Sequence, residues 1–566
     1  MAQRQHARGN PSRDGYGAVS PVSPRPGGRD AVERGSLALL KNLTATPGGL
    51  TRLAGAGARP TLGRRPAGGG GRGMTAAVAV DTEFETVIGL EVHCQLVTRS
   101  KMFCSCSTDY SGAEPNTHVC PVCLGMPGTL PVINERAIEF ITMTGLALHS
   151  SIAEFSKFDR KNYPYPDLMK GYQISQFDLP VCLGGWLEVQ VEGEAARRIG
   201  ITRVHMEEDT ARLMHRTDAV TGEGYSLIDV NRSGTPLMEI VSEPDMRSPA
   251  EAREYLVRLR QILRYIGVSE ANMEEGNFRC DANVSLRKWG APEFGSKVEV
   301  KNMNSFRSVH DAIAFEQVRQ AKVLRGGGTI PQETRGWVDA TEETVSQRSK
   351  ESAHDYRYFP EPDLPPLKLS REWVAKIGAR LPELPAVRRQ HLLDLGLSEY
   401  EATTLTEARD RADYYDQVRD ALTGEPARRA KLAANWVLGE ALRWCNANNR
   451  EISACPVNPA GLAELIGLVE SGTITGQVAK EVFERMAATG EAAPAIVQRD
   501  GLAQISETNE LVQIVKNVIA ANEKAVVDYR AGKEASLKFL IGQVMRETKG
   551  RANPQTAQSL ITQELS

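Results

Sequence analysis

The sequence predicts an α+β fold: a largely antiparallel-sheet catalytic domain followed by two C-terminal all-helical domains. Three observations carry this. Leu90-Glu-Val-His-Cys-Gln-Leu96 and Phe278 to Arg287 alternate apolar and polar residues with a strand's period of two. Cys104-Ser-Cys106 and Cys120-Pro-Val-Cys123 are two close cysteine pairs thirteen residues apart, the spacing of a zinc knuckle within the sheet domain. After about residue 370 the alternation stops, and Ala, Leu, Arg and Glu recur at helical spacing. The expected divisions are 1–79 as an extension, 80–370 as the sheet domain, 371–498 as a helical domain and 499–566 as a helical tail.

A chain of 566 residues is too long for one core. Its 25% charged and 41% hydrophobic residues are ordinary for soluble globular protein, and no apolar run approaches the roughly 20 residues of a membrane span. A net charge of -3 excludes wholesale coating of nucleic acid but leaves room for a local basic site. Nine cysteines, four of them clustered, point to a reducing compartment rather than a secreted disulfide framework, and the expected location is the cytoplasm, that of a bacterium. Residues 1–73 are dominated by Gly, Pro, Ala and Arg, too poor in apolar surface to fold. They read either as a transit peptide to a mitochondrion or chloroplast or as sequence upstream of a true start at Met74. The second is favoured, because no amphipathic helix is visible.

In the first strand Glu91, His93 and Gln95 share one face, and Leu90, Val92, Cys94 and Leu96 the other. A carboxylate and an imidazole so placed can share a divalent metal or a proton; a half-exposed strand facing water is the alternative. The four knuckle cysteines are expected to hold structural zinc, since four thiolates leave no open position for water. Cys94, Cys182, Cys280, Cys445 and Cys455 are scattered and expected in cores.

A helix is expected over 135–148, then a loop from Lys157 to Asp167 whose cations and tyrosines suit phosphates and flat groups. The next strand, Ile199 to Asp209, places Glu208 at the end of an apolar face and His205, Glu207 and Asp209 on the other. A hairpin is expected between 226–230 and 236–241, turning at Ser233-Gly234. Glu239 lies among Leu237, Met238, Ile240 and Val241, so it should be buried and must find a cation, donor or proton. A metal shared with His93 and Glu208 meets that demand; an arginine salt bridge is the alternative. Ser248-Pro-Ala-Glu251 is a capping box opening a helix that Gly267 can end. The strand from Phe278 gathers Arg279, Asp281, Asn283, Ser285 and Arg287 on one face, and Lys297, Glu299 and Lys301 repeat the pattern.

Ile88-Gly-Leu-Glu-Val-His93, Phe158-Asp-Arg-Lys-Asn-Tyr163, Tyr172-Gln-Ile-Ser-Gln-Phe177, His205-Met-Glu-Glu-Asp209, Gly234 to Asp245, Met273-Glu-Glu-Gly276, Arg279-Cys-Asp-Ala-Asn283 and Asp355-Tyr-Arg-Tyr-Phe-Pro360 together resemble the B subunit of the tRNA-dependent aspartyl/glutamyl-tRNA amidotransferases. The match runs from about Glu83 to the C-terminus, and the cysteines mark the zinc-containing branch. The resemblance implies an ATP-dependent ligase of protein biosynthesis. It would phosphorylate the side-chain carboxylate of Glu or Asp on misacylated tRNA(Gln) or tRNA(Asn) and form the amide with ammonia from a partner amidase, the A subunit. The small C subunit would complete a heterotrimer.

It also implies that His93, Glu208 and Glu239 are Mg²⁺ ligands, that Glu91, Lys161 and Asp281 serve catalysis, and that Arg160 and Arg279 contact phosphate or substrate. No Gly-x-x-x-x-Gly-Lys motif occurs, so an ATP site here is not a P-loop. In the tail, Leu537, Leu540, Ile541, Val544 and Met545 form a core stripe, while Lys533, Lys538, Arg546, Lys549 and Arg551 are candidates for tRNA phosphates or a solvated helix face. A zinc-bearing scaffold that only presents tRNA is the rival reading, and buried acids in the sheet speak against it. A free-standing ligase is a third, and no glutaminase nucleophile constellation is identifiable for it.

Overall fold

The central strand, Phe84–Gln95, is paired on both sides, which fixes the geometry of everything near it. It runs antiparallel to Phe278–Lys288 on one edge and to Pro236–Ser242 on the other. These belong to the computed structural model of the chain, which describes residues 83–349, 356–504 and 508–565. The 1–79 extension and Asp355 lie outside the described residues. From Pro236–Ser242 the sheet continues through Arg197–Glu208, Tyr172–Ser175 and Asp159–Asn162 to Phe359–Pro360. From Phe278–Lys288 it continues through Val298–Lys301 and Glu333–Val338 to Glu343–Ser349. Among these neighbours only Val298–Lys301 and Glu333–Val338 pair in parallel.

Leu90, Val92 and Cys94, with Met238, Ile240, Val204, Met206, Cys280, Ala282 and Val284, form one buried face. The same core takes in Ile138 and Ile141 from the helix Glu135–Ala147, Tyr255, Leu256 and Leu259 from Pro249–Tyr265, and Val309 and Ile313 from Phe306–Arg325. Burying each large aliphatic chain here contributes about 1.5–3 kcal/mol, enough to hold the alternation in one register. The polar residues of the same strands therefore share the opposite face.

Ser248 accepts a hydrogen bond from the Glu251 amide, as a capping box requires. The reciprocal bond differs: the Glu251 carboxylate accepts from the Arg247 amide at 2.5 Å and pairs with Arg197 at 3.1 Å. The helix ends at Tyr265 with Ile266 capping it, and Gly267 follows at φ +70°.

Two expectations are corrected. Gly224–Asp229 pairs with Arg212–Thr217, not with Pro236–Ser242, because Val230–Arg232 coils into a 3₁₀ turn and carries the chain off the hairpin. Asp159–Asn162, expected as loop, is a strand, since its backbone completes the ladder beside Tyr172–Ser175.

Beyond Lys368 the described residues are helical or irregular. Two further clusters are separate from the sheet's core, one built from residues between Leu392 and Val497 and one between Leu511 and Leu565. Leu540 and Val544 are buried in the second, with Leu537, Ile541 and Met545 packed on them.

Candidate active site

Register decides which polar side chains meet. His93 lies directly opposite Glu239, and Glu239 directly opposite His205 on the third strand. A period of two then puts Glu207 on the same face as His205. His93 Nε2 is 3.3 Å from Glu239 Oε2, and His205 Nε2 lies 3.5 Å from that oxygen and 3.7 Å from Glu207 Oε1. One ligand atom each from His93, Glu207 and Glu239 lie within 4.8 Å of one another.

Glu208, expected beside His93 and Glu239, is not brought to this cluster. Glu208 faces the other side of its strand, where Lys170 holds it at 2.6 Å and the Ile174 amide donates to it at 2.9 Å. Glu207 stands beside His93 and Glu239 instead, and only the alternation of His205 with Glu207 signalled this in the sequence. Arg160 is also on the far side, paired in register with Ile174. Both its Nε and Nη2 donate to buried Glu361 at 2.6 Å, and it lies over the Tyr172 ring, so it is committed to structure rather than offered to a phosphate.

Lys161 does face the cluster. Its Nζ is 3.5 Å from Glu207 Oε1 and 5.2 Å from the centre of the Tyr356 ring. Gln173 and Ser175, not anticipated individually, donate to the two oxygens of Glu207 at 3.1 and 2.8 Å, and Tyr163 donates to Gln173 at 3.1 Å. On the other side of His93, Glu91 accepts from Asn283 at 2.8 Å and sits opposite Asp281, which pairs with Lys301. Arg279, opposite His93, donates to Asp209 at 2.9 Å. The face is thus a continuous polar band from Lys301 to Lys161.

Each charge in this cluster is set by its neighbours. Burial alone pushes the Glu239 carboxyl up, but His205 and His93 outweigh it and hold it at about 2. Glu207 is likewise penalised by burial yet held well below the carboxylate range by Lys161 and His205. Burial disfavours the His93 imidazolium, and the Glu239 hydrogen bond and charge reverse this and raise it. Two ionised, nearly buried carboxylates flanked by an imidazole fit a divalent cation: the oxygens suit Mg²⁺, while the imidazole is a softer donor than Mg²⁺ usually takes.

Cys104, Cys106, Cys120 and Cys123 also converge, with all four sulfurs within 4.8 Å of one another. A tetrahedral zinc with 2.3 Å bonds needs edges of about 3.8 Å, so the set fits. The Cys120 amide donates to Cys123 Sγ at 3.1 Å, and the ammonium of buried Lys101 lies 3.7 Å from the same sulfur. The hydrogen bond from Cys104, then the Cys120 amide and the Lys101 charge, outweigh burial and hold the Cys123 thiol down at about 4, so a thiolate is ready for metal. Of the other cysteines, Cys94, Cys182, Cys280 and Cys445 are buried and Cys455 partly so.

In the tail, Lys538, Arg546 and Lys549 are exposed. Lys533 pairs with Asp528 at 2.9 Å, and Arg551 donates to the Gly501 carbonyl at 3.3 Å. No helix among the described residues is long and apolar enough to cross a membrane.

A family model described as the GatB/GatE catalytic domain matches residues 86–375, and a second, described as the GatB domain, matches 417–565. A protein of Dehalococcoides mccartyi described as the B subunit of an aspartyl/glutamyl-tRNA(Asn/Gln) amidotransferase is 56% identical over 490 residues, covering 86% of this chain and 99% of its own. Proteins with the same description from Thermomicrobium roseum and Carboxydothermus hydrogenoformans are 55% and 51% identical, again over about 85% of this chain and 99% of their own. By catalytic domain, C-terminal domain and length of match alike, the chain belongs to the GatB/GatE family.

Proposed function

We propose that this chain is the activating subunit of an ATP-dependent aspartyl/glutamyl-tRNA amidotransferase. On this reading it phosphorylates the side-chain carboxylate of Glu or Asp esterified to tRNA and then admits ammonia to form the amide. The observation that carries it is the constellation of His93, Glu207 and Glu239 on an otherwise apolar-cored sheet, with Lys161 and Arg279 on either side. A free carboxylate resists ammonia because its leaving group would be an oxide. Transfer of a phosphoryl group makes that leaving group a phosphate, and the transfer itself requires positioning and charge neutralisation more than covalent help.

His93, Glu207 and Glu239 would hold Mg²⁺, which when bound neutralises phosphate charge. Gln173 and Ser175 fix the Glu207 carboxylate, and His205 Nε2 lies 3.5 Å from Glu239 and 3.7 Å from Glu207, so the ligands are oriented in advance. Lys161 and Arg279 present positive charge on the two sides of the cluster, where a triphosphate and an acyl carboxylate must approach one another. Asp281 pairs with Lys301 and sits opposite Glu91, and these acids would extend the band along which the esterified amino acid must lie.

Ammonia would come from the amidase, or A, subunit, with a small C subunit linking the two, and the knuckle cysteines would hold a structural zinc. The C-terminal helices would grip the body of the tRNA through Lys538, Arg546 and Lys549. The test is to purify the chain with and without its partners and assay amide formation on Glu-tRNA(Gln) and Asp-tRNA(Asn). Amide should form only with ATP and the complete complex, and amide formation without ATP would overturn the reading.

A further inference from the structure

Between the cysteine knuckle and the polar face runs a chain of hydrogen bonds that the activation chemistry does not itself explain. Tyr110, in the loop between Cys106 and Cys120, donates its hydroxyl to Gln95 Oε1 at 3.0 Å. Gln95 Nε2 donates to Asp209 Oδ2 at 2.6 Å, and the same oxygen accepts from Arg279 Nη2 at 2.9 Å. Gln95 is two residues beyond His93 on the same strand face, and Arg279 is the cross-strand partner of His93. Asp209 is 2% exposed, and Arg232, anchored on the carbonyls of Thr210 and Ala211 at 2.9 Å each, lies 3.7 Å from it.

An amide side chain has two ends, and Gln95 is held at both: the Tyr110 hydroxyl donates to Oε1 and the Asp209 carboxylate accepts from Nε2. With a donor on Oε1, the NH₂ end must face Asp209. Without it Gln95 is anchored at Asp209 alone, and its side chain is free to swing about that single contact. A buried carboxylate oxygen deprived of its Gln95 donor leans on the donor that shares it, Arg279, since the Thr210 amide serves the other oxygen at 2.9 Å and Arg232 stands off at 3.7 Å. The Arg279 guanidinium has its Nε buried without a hydrogen-bond partner among the described residues, so its orientation depends on this one carboxylate.

We propose that Tyr110 is a positioning residue through which the cysteine knuckle sets the orientation of Arg279 on the active face. The knuckle is suited to the task because the loop carrying Tyr110 is fixed at several points. Asn116 accepts from the Val230 amide at 2.8 Å, the His118 amide donates to Asn231 at 2.8 Å, and Lys101 donates to the His118 carbonyl at 2.8 Å. Filling the four-sulfur site would hold both ends of that loop, so loss of metal would loosen Tyr110 first and Arg279 through it.

The test uses the full chain in its complex, comparing wild type, Tyr110→Phe, Arg279→Lys and the double variant. Two readouts serve: MgATP binding by calorimetry, which rests on the proposed function, and backbone hydrogen exchange, which does not. Tyr110→Phe should keep its metal content and melting temperature, weaken MgATP binding about threefold to tenfold, as one lost hydrogen bond allows, and speed exchange at Asp209 and Arg279. Added to Arg279→Lys, it should weaken binding no further. If wild type binds no MgATP, the nucleotide reading falls and exchange alone decides the relay. Unchanged exchange in Tyr110→Phe, or additive losses in the double variant, overturns it. Should Tyr110→Phe fail to fold, Gln95→Met breaks the relay within the strand and carries the same expectations.

Discussion

Glu207 and Glu208 are neighbours in the chain and belong to opposite faces of the sheet: Glu207 joins His93 and Glu239, while Glu208 is held by Lys170 at 2.6 Å behind them. Substituting each isolates the two faces. Glu207→Gln should lower the rate of ATP-dependent activation by about 10²–10³-fold, the scale of losing one preorganised electrostatic contact, and weaken Mg²⁺ binding in calorimetry. Glu208→Gln should leave Mg²⁺ affinity unchanged but cost on the order of 3 kcal/mol of stability in denaturant unfolding, by stranding a partly buried lysine. Weakened Mg²⁺ binding in Glu208→Gln alone would reverse the assignment.

The His93–Glu239 pair makes the site pH-dependent with a definite sign. In metal-free protein the folded state holds the His93 proton to higher pH than the unfolded chain does. The pair's stabilisation is therefore complete below about pH 6.5 and is lost as pH rises through the raised value. Metal needs the neutral imidazole, so its affinity should fall roughly tenfold per pH unit on the acid side of that value. Melting curves with chelator and with Mg²⁺ should separate increasingly between pH 6 and 8, and a gap independent of pH would exclude His93 as a ligand.

Purified protein should carry one zinc, and Cys123→Ser should lose it. Because the sulfurs tie the knuckle to buried Lys101 and, through it, to Val230, metal loss should lower the melting temperature by at least about 5 °C, the equivalent of roughly 2 kcal/mol in a domain of this size. Elemental analysis and calorimetry under reducing conditions check both.

Removing the C-terminal helices should weaken tRNA binding and flatten its salt dependence while leaving assembly of the complex intact. The cut belongs after Gln504 rather than at 499, since Leu502 still packs on the preceding cluster and the Gln504 amide donates to Thr473. Replacing Lys538, Arg546 and Lys549 with Ala should lower the slope of log affinity against log salt by roughly 0.7–0.9 for each phosphate no longer neutralised. Filter binding across a salt series reads this, and an unchanged slope would make the exposed cations a solvated surface.

Much of the architecture was legible in one dimension. The alternation of Leu90, Val92 and Cys94 with Glu91, His93 and Gln95 assigns each side chain to a face from nearest-neighbour geometry alone, and the cysteine spacing announces a knuckle wherever the chain goes. The apolar stripe from Leu537 to Met545 identified its own buried side in the same way. What the sequence left undecided was which faces meet. Glu207 and Glu208 are equally acidic, and choosing between them requires the register His205 opposite Glu239 opposite His93. Arg160 and Lys161 are equally cationic, and only the ladder that pairs Lys161 with Gln173 and Arg160 with Ile174 separates ligand-facing from structural charge. The 226–230 segment went to a different partner strand because a 3₁₀ turn of three residues intervened. Periodicity is a property of one strand; register and partner choice are set by the packing of many side chains across strands distant in sequence, and that information exists only once the sheet has formed.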